Sequence, residues 1–179
     1  MNRMLWAAAL LLALGFMFKL SSAANEPPQA GQIAPGFTLP SQDGSPVSLE
    51  QFKGKWVLLY FYPKDNTVGC TIEAHNFQRD LPKYEGLDAV VVGVSLDSEQ
   101  SHQGFCTKQG LTFKLLSDTN REVTQKYGSL RNLLGLKMAA RNSFLIDPTG
   151  KIEKVWLGVS PSGHSNEVLK ELAAKVKKD

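Results

Sequence analysis

"KWVLLYFYPKDNTVGCTIEAHNFQRD", residues 55–80, contains a change of pattern on which the reading of the fold turns. From Lys55 to Pro63 the chain is apolar and β-favouring without alternation, which predicts a strand buried on both faces and ended by the proline. From Thr71 to Tyr84 the pattern becomes helical. Outward from this strand–loop–helix unit, "DAVVVGVSLD" (88–97) reads as a second buried strand. "SEQSHQGFCTKQG" (98–110) reads as a helix capped by Ser98 and stopped by Gly110. "TFKLLSD" is expected as a strand and "REVTQKYG" as a short helix. "RNSFLIDPTGKIEKVWLG" is expected as a hairpin turning at Asp147–Gly150, and "SNEVLKELAAKVKK" as a closing amphipathic helix. Residues 25–45, rich in Pro, Gly, Gln and Ser, form a loop-dominated lead-in with room for short strands. Strands alternating with helices before a hairpin predict an α/β sandwich, a mixed central β-sheet flanked by helices, with a right-handed crossover in its parallel part.

The first residues follow another pattern. "MNRML" is a short basic start, "LWAAALLLALGFMF" an apolar run, and "KLSSAANEPP" a small-residue exit into polar chain. This predicts a secretory signal peptide over residues 1–24, cleaved before Ala24 or Asn25 and followed by one domain, 25–179. An uncleaved anchor is the competing reading, with a run of 14 residues that is short of the roughly 20 a spanning helix needs. An exported protein, in a periplasm or another extracytoplasmic compartment and without stable membrane association after cleavage, is therefore expected. The chain of 179 residues carries a formal net charge of +3; losing Arg3 and Lys19 leaves 18 basic against 17 acidic residues. That balance excludes strong electrostatic attraction to nucleic acid or an anionic membrane. The composition, 42% hydrophobic and 21% charged, is that of a globular domain rather than a disordered chain or a membrane bundle.

Only two cysteines are present, Cys70 and Cys106. Cys70 follows the loop at the carboxyl end of the first buried strand and falls in the first turn of the next helix. Unpaired backbone N–H groups and partial positive charge there favour negative charge on sulfur. By position alone, a packed core cysteine is an equal reading. Three scattered histidines and two distant cysteines make no metal-ligand spacing, so neither metal nor other cofactor is expected.

The pattern Pro63-x-x-x-Thr67-x-x-Cys70, with Gly69-Cys70-Thr71 and a later Arg141, resembles the active site of peroxiredoxins. The resemblance is to the Q type, also called bacterioferritin comigratory protein, and runs from about Gly31 to the C-terminus through "LYFYPKDNTVGCT", "FKLLSD" and "RNSFLIDPTGK". It implies a thioredoxin-like fold and a thiol peroxidase acting on hydrogen peroxide and organic hydroperoxides. By the same resemblance Cys70 is the nucleophile and Pro63 shields the pocket. Thr67 and the backbone at Gly69 and Cys70 hold the peroxide, and Arg141 stabilises thiolate and transition state. Glu73, one turn after Cys70, either orients Arg141 or is a solvated carboxylate at a helix start.

A lowered thiol pKa would not suffice for such an enzyme. A drop from about 8.5 to about 6 raises the thiolate fraction at pH 7 roughly 30-fold, while intrinsic nucleophilicity falls about 13-fold. Further acceleration requires groups that meet charge developing on the leaving oxygen.

Many Q-type relatives carry a second cysteine five residues after the first, where this chain has His75. Cys106 is then either the resolving cysteine of a Cys70–Cys106 disulfide, recycled by thioredoxin or a similar thiol reductant, or a buried spectator. His75 is expected on a helix surface and His164 in the loop before the last helix. His102, one turn before Cys106, is expected to face solvent, or else to lower the pKa of that thiol. A monomer is expected, as is common among Q-type relatives. Two other functions compete: an exported thioredoxin-like disulfide oxidoreductase, although Cys70-Thr71-Ile72-Glu73 lacks the second cysteine of Cys-x-x-Cys, and a redox-silent binding module of the same fold.

Overall fold

The computed structural model describes residues 26–177; the expected signal segment lies outside the described residues. The buried run is strand β3, Trp56–Phe61, all six residues of which are buried. Alternation along it sends Trp56, Leu58 and Tyr60 into one apolar cluster and Val57, Leu59 and Phe61 into another, which is why no polar position interrupts the sequence. β4 (Ala89–Ser95) pairs with β3 in parallel and β5 (Lys114–Ser117) pairs with β4 in parallel. β8 (Ser143–Ile146) lies antiparallel on the other side of β3, and β9 (Ile152–Trp156) pairs with β8. The five strands form one mixed sheet in the order β5-β4-β3-β8-β9, the architecture expected.

Three helices cover the first cluster: α1 (Val68–Glu85), α2 (Glu99–Gln109) and α4 (His164–Val176). The short α3 (Glu122–Lys126) packs with the lead-in on the opposite face. In that lead-in β1 (Thr38–Pro40) and β2 (Pro46–Ser48) form a small hairpin. Ser98 caps α2, its hydroxyl accepting from the Ser101 N–H at 3.3 Å, and Gly110 ends it in the left-handed region at φ 65°. The β8–β9 turn is tied by Asp147, whose carboxylate accepts the Thr149 and Lys151 N–H groups at 2.9 and 2.8 Å.

Two expectations need correction. α1 begins at Val68 rather than Thr71, because Thr67 already holds the extended conformation of a cap and its carbonyl receives the Thr71 N–H at 2.9 Å. As expected, the helix runs through Pro82, whose missing N–H takes one hydrogen bond out of the ladder close to the helix end. Residues 129–140, read as no element, form the hairpin β6 (Leu130–Leu133) and β7 (Leu136–Ala139). Its turn places Leu134 and Gly135 at φ 50° and 89°; a leucine there hides a turn whose sequence signature is normally Asn-Gly.

Candidate active site

Pro63 to Thr67 leave the carboxyl end of β3 and deliver the chain to α1, with Cys70 its third residue. The Thr71 N–H is the first to reach a helical acceptor, so those of Val68, Gly69 and Cys70 precede the helical ladder. Arg141 arrives from the strand connection before β8, 71 residues later, and its Nη2 donates to the Cys70 sulfur at 3.4 Å. Its Nη1 donates to Glu73 at 2.5 Å. Cys70 is 2% exposed and Glu73 1%, so of the two readings of Glu73 the structure has the partner of Arg141 and not the solvated carboxylate.

Burial pushes the Glu73 carboxyl up to about 7 even though Arg141 opposes it, and one of its oxygens, Oε1, is buried without a hydrogen-bond partner. Burial works against the charge of Arg141, but Glu73 and the Cys70 sulfur outweigh it and hold its pKa above the ordinary value. Gly69 allows this close approach: a Cβ there would stand 3.2 Å from Arg141 Nη2 and 3.4 Å from Pro161. Pro161, in the loop before α4, is a neighbour that no sequence pattern announced.

Pro63 is half-buried and Thr67 exposed. The Thr67 hydroxyl donates its hydrogen to the Lys64 carbonyl at 3.0 Å. With that hydrogen spent, the Thr67 oxygen is left as a hydrogen-bond acceptor. The donors the site offers are Arg141 and the backbone N–H groups that precede the helical ladder.

Cys106 lies in the same apolar cluster as Cys70, on α2, and both thiols are free. The backbones of α1 and α2 scarcely approach: α1 packs on α4 and β4, and α2 on β5. Burial pushes the Cys106 thiol up to about 11, with Asp65 adding to the shift.

His102 neither faces solvent nor lowers that value. It is fully buried on the stripe His102, Phe105, Cys106, and its Nδ1 meets Asp65 at 2.9 Å and the Tyr62 hydroxyl at 3.3 Å. Its Nε2 lies 3.2 Å from the Leu116 carbonyl. The i, i+3, i+4 spacing of 102, 105 and 106 was the signal for this burial. His75 is exposed, as expected, and bonds to Gln109 at 2.8 Å. His164 opens α4 instead of preceding it and is buried against Ser143, Trp156 and Phe77.

Among the described residues no group of three or more His, Cys, Asp or Glu side chains is placed to hold a metal ion, and no helix is long and apolar enough to cross a membrane.

Residues 30–155 match the model of the AhpC/TSA family. The chain is 41% identical over 143 residues to the chloroplastic peroxiredoxin Q of Sedum lineare, a match covering 79% of this chain and 76% of that protein. It is 37% identical over 138 residues to the peroxiredoxin Bcp of Xanthomonas campestris pv. campestris, covering 75% and 86% of the two chains. A solved Cys-to-Ser variant of Xylella fastidiosa PrxQ superimposes with a TM-score of 0.76 at 34% identity, over 83% of this chain and 99% of that one.

Proposed function

Since the chain belongs to the AhpC/TSA family and to its peroxiredoxin Q/Bcp members, and is a thiol peroxidase, we propose that Cys70 is the sulfur that attacks the peroxide. The observation that carries this is Arg141, held by Glu73 and donating to the Cys70 sulfur. The Cys70 sulfur attacks one peroxide oxygen, the O–O bond breaks, and the distal oxygen leaves as hydroxide or alkoxide and takes up a proton. Sulfur is oxidised to sulfenic acid. Arg141 and the N–H groups at Gly69 and Cys70 stabilise charge on the reacting oxygens, Thr67 accepts the peroxide O–H, and Pro63 shields the thiol. Val68 and Ile72, 79% and 42% exposed on the first turns of α1, offer an apolar rim that suits organic hydroperoxides. A structure of the X. campestris bacterioferritin comigratory protein, 34% identical, concerns the alkyl peroxide reduction activity of that protein.

Cys106 is the resolving thiol in this reading. Two solved structures of X. campestris peroxiredoxin Q are Cys-to-Ser variants at positions the same 36 residues apart as Cys70 and Cys106, which supports the assignment. The Cys106 thiolate attacks the Cys70 sulfenic sulfur, the S–S bond forms, and hydroxide leaves to take up the proton that the thiol released. A thioredoxin-type dithiol then reduces the disulfide. The protein acts as an exported monomer that starts near Ala24 or Asn25; N-terminal sequencing and sedimentation of the native protein check this, and a retained Met1 or a stable dimer refutes it.

The decisive experiment treats the reduced protein with one equivalent of hydrogen peroxide. Two thiols are expected to disappear and the mass to fall by that of two hydrogens. A Cys106 that stays free, with Cys70 carrying added oxygen or an external thiol, rejects the internal disulfide. Slow, non-stoichiometric consumption rejects the assignment of the nucleophile.

A further inference from the structure

The hairpin of β6 and β7 projects from a base that is firmly held. The Ser129 N–H donates to the Thr124 carbonyl at 2.8 Å and the Ala140 N–H to the Ser129 carbonyl at 2.6 Å. Asn142 adds a bond to the Ser129 hydroxyl at 3.0 Å. Ser129 and Ala139 are buried, so the exposure further out belongs to a fixed hairpin. Three of the exposed large hydrophobic side chains fall together at its tip: Leu133, Leu134 and Leu136 are 61%, 98% and 69% exposed. The register pairs Leu133 with Leu136 and Arg131 with Met138. Because side chains alternate along each strand, these four share one face of the ribbon.

Leu134 works against its own turn. Its φ is 50°, in the left-handed region that asparagine or glycine adopts at less cost than leucine. Gly135, at φ 89°, supplies the other half of the turn, and its N–H donates to Asn132 Oδ1 at 3.0 Å. No packing of the Leu134 side chain offsets the strain. Folding alone would favour asparagine at 134, and an apolar side chain there gains only from a contact outside the fold.

Charge selects the occupant. Between Glu122 and Asp147 the sequence has no acidic residue, while Lys126, Arg131 and Lys137 are cationic and exposed. A second copy of the chain, meeting this face across a two-fold axis, would set these cations against their own equivalents. Three leucines at a hairpin end also fall well short, by themselves, of the ~800 Å² per partner that a standard protein interface buries. A lipid surface demands no matching pocket: apolar side chains enter between head groups while cations stay among the phosphates.

We propose that the β6–β7 hairpin docks the protein reversibly on an anionic lipid surface. Leu133, Leu134 and Leu136 enter the boundary between head groups and acyl chains, and Arg131 and Lys137 lie among the phosphates. The near-balanced charge of the whole chain excludes a strong hold, so the attraction is local and weak, and it needs the leucines and the cations together. β7 runs on through Ala140 into Arg141, which puts Leu136 within about 17 Å of that arginine along extended chain. Docking thus keeps the Arg141 edge of the active site close to the lipid. The inference is independent of which thiol resolves the sulfenic acid.

The test is flotation of the mature exported protein with vesicles of phosphatidylglycerol and phosphatidylcholine, against vesicles of phosphatidylcholine alone. Binding to the anionic vesicles is expected, roughly twenty-fold weaker on the neutral ones and weakened by added salt. Arg131→Gln and Lys137→Gln should each cost roughly five-fold. Leu134→Asn should cost about ten-fold, while its urea midpoint is unchanged or higher and its reduction of hydrogen peroxide stays at the wild-type rate. A leucine needed only for folding would instead lower the midpoint and leave binding as it was. No binding to anionic vesicles, equal binding to both kinds, or full binding by Leu134→Asn overturns the docking site. A concentration-dependent dimer that Leu134→Asn dissolves, in a protein that ignores vesicles, assigns the face to a second copy and overturns the lipid reading. The reaction of Cys70 with hydrogen peroxide is read separately and stands or falls without the hairpin.

Discussion

The two cysteines share one apolar cluster and meet opposite surroundings. At the Cys70 corner, at the start of α1, Arg141 turns a hydrogen-bond donor toward the sulfur, and Glu73 holds the arginine in place. At the Cys106 corner, burial raises the thiol, Asp65 adds to the shift and Lys114 opposes it, while the Asp65 oxygens are turned to Tyr62, Ser101 and His102. Burial is nearly equal, 2% and 7% exposed. Placement of charge, not burial, therefore separates a sulfur equipped to attack from one kept in reserve.

The strongest test of this contrast is Cys70→Ser, which should abolish peroxide reduction while the fold and the Cys106 thiol persist; near-normal consumption of peroxide by that variant would end the assignment. Arg141→Ala comes next. Loss of one transition-state donor costs about 10²- to 10³-fold, to be read as the second-order rate of sulfenic acid formation in stopped flow. Cys106→Ser should touch only the other corner: the first oxidation proceeds at the wild-type rate, and turnover with a thioredoxin-type reductant falls to background. If that turnover survives, the two corners are not partners.

The smallest effect is on stability and separates the groups behind the Cys70 corner. Glu73 is raised to about 7 in the folded chain against 4.5 when unfolded. The folded state therefore takes up a proton as pH falls from 7 to 4.5, and this carboxyl adds stability on acidification and withdraws it as pH rises through 7. His164 is lowered to about 4 against 6.5 by burial, with Glu167 opposing. Its contribution is present above 6.5 and lost as pH falls toward 4. The two limbs oppose each other, each on the order of 3 kcal/mol. Glu73→Gln should uncover a loss of stability between pH 7 and 4.5, and His164→Gln a gain, both by urea titration at several pH values. Parallel curves for wild type and either variant would show that group to be uncoupled from folding.

The sequence by itself determined the unit from β3 to α1, the cap and stop of α2, the β8–β9 turn and Cys70 at a helix start. Each follows from neighbours a few residues apart: an apolar run ended by Pro63, Ser98 and Gly110 around a helix, Asp147 in a turn. It pointed to Arg141 only through a resemblance, because nothing local marks an arginine that antiparallel pairing of β8 with β3 carries across 71 residues. The tertiary structure alone decided that Glu73 is buried against that arginine, that Thr67 spends its hydrogen on Lys64, and that residues 130–139 form a hairpin around Leu134. It also turned His102 inward. A histidine on a helix with three buried positions has a weak local preference, and the Asp65 carboxylate that fixes it lies 37 residues away in sequence. Burial of a polar side chain is settled by its partner, and the partner becomes a neighbour only when the sheet has formed.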